Sequence, residues 1–191
     1  SWSPVQRVVD ALDAAFKLAF GNVEPTGKRM MLALDVSGSM SCAVGGQRGV
    51  GLTCLDVACS LGLYLADKQQ GAFKDMFLTF SGTSRLQQLQ GNLTAKLRQM
   101  QTSDWGMNTS LESAYREILQ VAVTNNVPQD QMPRYLVILS DMEFDMAVRG
   151  DNVGAFDMAR QRFAQAGYEL PKIVFWNLNA RAGNVPVRQH E

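Results

Sequence analysis

Residues 31–41 read MLALDVSGSMS, and the change of character inside this stretch decides the fold. Met31 to Leu34 is an unbroken apolar run. At Asp35 it gives way to oxygen-bearing side chains on alternate residues, Asp35, Ser37 and Ser39. An apolar run without alternation is the mark of a strand covered on both faces, as parallel strands are. Two later runs, YLVIL at 135–139 and IVFW at 173–176, have the same texture.

Between these strands lie segments with helical periodicity. The spacing predicts helices over 55–68, near 92–101, from Leu111 through Ala122, and over 151–167. The strands are expected at about 29–35, 73–80, 134–140 and 171–177. SRLQQLQ at 84–90 reads as a short polar strand suited to a sheet edge. Ser3 to Gly21 reads as a further amphipathic helix, with Ser3 and Gln6 as a capping box and Pro4 at its first position. Strands alternating with helices imply an α/β fold: a doubly wound, mostly parallel sheet with helices on both faces.

The chain has 191 residues, enough for one domain with a substantial core. Lys and Arg number 18 and Asp and Glu number 18, so no net charge draws it to nucleic acid or an anionic membrane. No apolar run reaches the length of a membrane span, and no signal-peptide pattern opens the chain. The cysteines, Cys42, Cys54 and Cys59, are odd in number and form no C-x-x-C pair, which implies free thiols and a cytoplasmic address. Cys59, in an apolar helical run, reads as a small core residue. The GKR at 27–29 is no phosphate loop. It precedes a strand, lacks a Ser or Thr after Lys28, and has five residues between Gly21 and Gly27.

Ligands of open parallel sheets bind beyond the carboxyl ends of the strands. There the sequence offers Asp35, Ser37 and Ser39 after the first strand and Asp141 after YLVILS. Thr109 stands just before the helix that starts near Leu111. Two carboxylates and three hydroxyls, with no His or Cys among them, suit a hard cation: Mg²⁺, with Mn²⁺ or Ca²⁺ as alternatives. Two carboxylates only balance a divalent charge, so such an ion stays electrophilic and suits an anionic ligand from outside. Thr109 with Glu112 also reads as a helix capping box, and Ser37 and Ser39 as turn residues around Gly38. Glu143 and Asp145 are either solvated loop acids or additional groups facing the ion.

The pattern Asp-x-Ser-x-Ser, a distant Thr and a later strand-end Asp resembles the metal-ion-dependent adhesion site (MIDAS) of von Willebrand factor A (vWA) domains. ALDAAFKLAFGNVEPTGKRMMLALDVSGSM at 11–40 is similar to the A-domain entry of the Ro (TROVE) RNA-binding family. WGMNTSLESAY at 105–115, SDMEFD at 140–145 and FWNLNARAGNVPV at 175–187 resemble a related family of unknown function from plants, fungi, viruses and phages. The resemblance implies that Ser37, Ser39 and Thr109 bind the metal through hydroxyls while Asp35 and Asp141 complete its shell. It also implies that residues 1–21 are a remnant joining a helical-repeat domain, and that 22–191 are the A domain. Such domains have six strands where five are readable here, so the chain is expected to be C-terminally truncated and to lack the final strand.

The function this implies is a metal-dependent module for protein–protein interaction, whose partner donates an acidic group to the ion. MEFD at 142–145 replaces the glycine-rich turn of many A domains, and extra carboxylates there would repel such a ligand. The alternative is a ribonucleoprotein component, with RNA held only through a helical-repeat domain absent from this chain. A metal-dependent hydrolase is disfavoured: the sequence has no D-x-D pair, no G-x-S-x-G elbow and no poised His.

Overall fold

A computed structural model of the chain describes residues 29–35, 38–41, 53–80, 84–102, 111–140, 153–178 and 187–190. Six strands form one sheet: β1 (Met30–Asp35), β2 (Met76–Phe80), β3 (Arg85–Gln88), β4 (Tyr135–Ser140), β5 (Lys172–Asn177) and β6 (Val187–His190). Their order across the sheet is β3-β2-β1-β4-β5-β6. The inner four run parallel, whereas β3 and β6 are antiparallel to their neighbours. The count of five strands is thereby corrected to six. VRQH has a single apolar residue, so nothing in its pattern announces a strand; pairing with β5 makes it one.

Among the described residues four helices cover the sheet: α1 (Cys54–Lys68), α2 (Leu93–Gln101), α3 (Leu111–Thr124) and α4 (Val153–Gln165). Their ends carry the expected devices. Thr53 Oγ1 accepts from the Asp56 N–H while Asp56 Oδ2 accepts from the Thr53 N–H, a reciprocal box that starts α1. Asn92 Oδ1 accepts from the Ala95 N–H at the start of α2. After α4 the Tyr168 N–H reaches back to Phe163 O, with Gly167 at φ +82° turning the chain. The second strand begins at Met76 rather than at residue 73. Residues 71–73 form a 3-10 turn, and Asp75 at φ 59° separates it from the strand.

Alternation along β1 feeds two cores. Met31 and Ala33 pack with Leu78, Leu136, Ile138 and Ile173 beneath α3 and α4. Leu32 and Leu34 pack with Phe77, Val137 and Leu139 beneath α1 and α2, where Cys59 is fully buried as expected. Trp176 lies half-buried against this second core. Gly62 lets α1 approach β1: a Cβ there would lie 2.9 Å from Leu32 Cδ2. A 3-10 turn, Gly38–Ser41, follows β1 and is anchored by Met40, which is completely buried beside Cys54 and Leu34. The expected helix at 3–21, Glu143 and Asp145 lie outside the described residues.

Tyr115 ties α3 to the amino end of β5. Its ring meets Phe156 and Phe163 edge-on and its hydroxyl donates to Pro171 O at 3.1 Å. Burial raises its phenol above the ordinary range. The unfolded chain ionises this residue near pH ~10 while the folded chain keeps the proton. The associated stability is therefore complete below that pH and lost as pH climbs toward the folded value. Tyr115→Phe is expected to lower stability by about 0.5–1.5 kcal/mol at neutral pH and to flatten the alkaline decline, both read from urea unfolding curves. Met40→Ala should cost about 2–5 kcal/mol by cavity formation, measured the same way.

Candidate metal site at the sheet rim

The strand order reverses between β1 and β4: the chain winds outward to β2 and β3 on one side and to β5 and β6 on the other. In open parallel sheets, ligands bind at such a reversal point, beyond the carboxyl ends of the strands. Asp35 is the last residue of β1, on the same face as Met31 and Ala33, and only 5 % exposed. The register pairs Leu34 with Leu139, so the next step sets Asp35 beside Ser140, the last residue of β4 and 4 % exposed. Ser140 in turn pairs with Asn177 at the end of β5, and Asp35 with Phe80 at the end of β2. Three polar residues, Asp35, Ser140 and Asn177, thus stand in one row across the rim, on the face covered by α3 and α4. Leu178 N–H donates to Ser140 O at 2.9 Å and extends this register one residue beyond β5.

Ser39 sits half-buried in the 3-10 turn that leaves β1, next to the Met40 anchor. A turn pinned by a fully buried side chain carries its neighbours at a defined height over the strand end. A Cβ at Gly38, on the same turn, would meet nothing within 4 Å among the described residues.

Of the five residues singled out in the sequence, Asp35 and Ser39 are thus described, and both belong to the rim. Ser37, Thr109 and Asp141 lie outside the described residues. The flanks of two of them are fixed. Ser140 immediately precedes Asp141, and α3 begins at Leu111, two residues after Thr109. The Ser84 N–H, between β2 and β3, donates to Ser113 Oγ in the first turn of α3 at 3.0 Å. The amino end of α3 is thereby held at the carboxyl side of the sheet. Glu112, the other half of the expected capping box, ion-pairs with Arg162 of α4 at 3.1 Å.

The donors described, one carboxylate and one hydroxyl, are of the all-oxygen type a hard divalent ion takes. No cluster of three His, Cys, Asp or Glu exists among the described residues. Ser140 and Asn177 escape a reading of the sequence because cross-strand register, which local patterning does not encode, brings them beside Asp35.

Cys59 plays no part in the rim chemistry. Burial, aided by the nearby Asp56 carboxylate, pushes its thiol up to about 12, so it stays protonated and inert. No helix among the described residues is long and apolar enough to cross a membrane.

Comparison with known proteins gives this geometry its relatives. Residues 30–191 match the domain of unknown function DUF7788. The chain is 29% identical over 168 residues to the uncharacterized protein L728 of Acanthamoeba polyphaga mimivirus, covering 87% of this chain and 28% of that protein. It is 69% identical over 42 residues to the RNA-binding protein RO60 of Deinococcus radiodurans, covering 22% of this chain and 8% of that one. With the RNA-binding protein RO60 of Caenorhabditis elegans it shares 48% identity over 63 residues, which is 33% of this chain and 9% of that one. The crystal structure of the Deinococcus radiodurans RO (RSR) protein superimposes over 100% of this chain and 35% of that one, with TM-score 0.57 and 26% identity. The chain thus spans about a third or less of the length of each of these four relatives. With its doubly wound sheet and these matches, the chain belongs to the DUF7788 family and is a vWA-like domain related to the Ro (TROVE) proteins.

Proposed function

We propose that this domain is a divalent-metal-dependent ligand-binding module of a Ro-like protein, which captures an acidic group of a protein partner. The observation that supports it best is a buried carboxylate, Asp35, ending the central strand where the strand order reverses, with Ser39 on an anchored turn beside it. Asp35, Ser37, Ser39, Thr109 and Asp141 would hold the ion, Mg²⁺ in the first instance and Mn²⁺ or Ca²⁺ as substitutes. When bound, the ion supplies an electrophilic centre that accepts a carboxylate from outside. The chain's own residues position it: β1 fixes Asp35, the Met40 anchor fixes the turn bearing Ser39, and the start of α3 limits where the segment before Leu111 can go.

The role is binding rather than turnover. The chain has one histidine, His190, which lies in β6 on the outer edge of the sheet, away from the β1–β4 reversal point. We assign the module to the cytoplasm, and we read residues 1–21 as the joint to a helical-repeat domain and 22–191 as the A domain. A second reading rests on the RO60 relatives, which are RNA-binding proteins by name. In it the domain assists RNA binding carried mainly by the rest of such a protein.

Titration calorimetry with Mg²⁺ and Mn²⁺ tests the first reading. The wild-type chain is expected to bind one ion and to gain stability on saturation, about 2.7 kcal/mol at a hundredfold excess over Kd. Asp35→Ala should abolish both effects. Absence of binding in the wild type, or unchanged affinity in Asp35→Ala, would overturn it. For the second reading, a mobility shift with structured RNA at low salt should appear and fade as salt rises; no shift at low salt removes it.

A further inference from the structure

The opposite end of the sheet, where the parallel strands begin, carries charge of the other sign from the Asp35 rim. Arg29 O accepts from the Arg134 N–H at 2.8 Å and from the Tyr135 N–H at 3.2 Å, and Arg134 O accepts from the Lys172 N–H at 2.9 Å. The register then pairs Met30 with Tyr135 and Tyr135 with Lys172. These bonds set Arg29, Arg134 and Lys172 side by side, with neighbouring backbones about 4.8 Å apart. Lys74 stands at the same end, two residues before β2 starts at Met76. Each of the four parallel strands thus has a cation at its start.

Among the described residues, none of these four cations is ion-paired. Lys74, Arg134 and Lys172 are exposed; Arg29 is half-buried, with its Nε enclosed and without a hydrogen-bond partner. Like charges facing each other on adjacent strands are destabilising, and a buried donor left unmet is costly. Helix ends do not account for the row. α1, α3 and α4 all finish on this side, where a cation would suit the negative terminus, but their last carbonyls have other donors. Gln69 N–H and Asp75 N–H donate to Ala66 O, Val127 N–H and Tyr168 Oη–H to Ala122 O, and Tyr168 N–H to Phe163 O. Of the acids at this end, Asp75 is taken by Lys96 at 2.7 Å. Asp67 lies on α1, and Asp130 and Glu169 on the segments before β4 and β5, outside the row.

We propose that Lys74, Arg29, Arg134 and Lys172 form a second binding surface, which takes the phosphodiester backbone of a single RNA strand. The inference rests on the reading in which the domain assists RNA binding, and gives that contact a place. A line of cations with no acid between them matches a chain of regularly spaced anions better than one small ion. The two adjacent arginines offer planar forks that suit phosphate oxygens, and a phosphate beside them supplies the counter-charge that Arg29 lacks. Such a surface reads charge and not bases. It lies about 20 Å from Asp35 along β1, so a strand held here and an acidic group at the rim do not compete.

The test is fluorescence anisotropy of a labelled oligouridylate titrated with the full chain at several salt concentrations. Four phosphate contacts give log Kobs against log [salt] a slope of about −2.8, and Arg134→Ala/Lys172→Ala should flatten it to about −1.4. Removing two exposed arginines elsewhere, Arg116→Ala/Arg160→Ala on α3 and α4, should leave the slope where it was. If the first double variant does not fold, Lys74→Ala, outside the strands, decides the case by flattening the slope by about 0.7. A slope that the row variants leave unchanged, or that the control pair flattens equally, overturns this proposal and leaves the RNA reading standing. Displacement of the RNA by polyglutamate as readily as by unlabelled oligouridylate of equal charge makes the row a site for acidic peptides and overturns it too. No binding at low salt sinks both.

Discussion

Everything at the rim depends on β1 being paired on both sides in parallel, with β2 across Asp35 and β4 across Leu34. That double pairing forces both faces of the strand into cores, which only an unbroken apolar run tolerates. It also brings the carboxyl ends of β1, β2, β4 and β5 to one edge of the sheet, where the run must end because the backbone leaves the ladder. Burying a carboxylate is costly unless donors or a cation compensate it. Asp35, at 5 % exposure, therefore depends on the compensation that the fold supplies at the strand end.

The elements that the sequence announces are those whose local pattern and tertiary role agree. β1, β4 and β5 are apolar because they are buried, and α1 begins one residue before its expected start because Thr53 and Asp56 cap it reciprocally. The discrepancies have the opposite cause. β6 is written in polar residues and owes its existence to the neighbouring strand. Residues 73–75 extend the pattern of β2, yet Phe73 is buried from a 3-10 turn and Asp75 takes a left-handed conformation. At the site, Asp35 is legible because the texture changes at it. Ser140 and Asn177 are not, since both look like ordinary strand-end residues until the register sets them in one row with Asp35. The acceptors along the β3 edge are hidden for the same reason: Ser113 and Glu117 read as the polar side of an amphipathic helix.

The two faces solve different packing problems. Under α1 the small side chains of Gly62, Ala58, Cys59 and Ala66 bring helix and sheet close, so specificity comes from the shape of Leu32 and Met100 against the glycine. Under α3 and α4 the space is filled by rings. Tyr115 stands between Phe156 and Phe163 and uses its hydroxyl to satisfy Pro171 O. Edge-on rings with a directed hydrogen bond fix rotation as well as distance, so α3 is the more precisely oriented helix.

That orientation links the edge to the rim. One stripe of α3, Leu111, Ala114, Tyr115 and Ile118, is bound to the core, and another, Ser113 and Glu117, is bound to the backbone of β3 and its lead-in. A helix held on two sides cannot slide along its axis without breaking the Ser84–Ser113 bond, nor rotate without pulling Tyr115 from its rings. The segment that enters at Leu111 therefore starts from a fixed point at the carboxyl side of the sheet. Ser113, the first hydrogen-bonded contact of α3 with the β3 edge, lies only two residues inside that point. The same helix that covers the sheet edge thus fixes the point, at Leu111, at which the segment before it joins the sheet's carboxyl side.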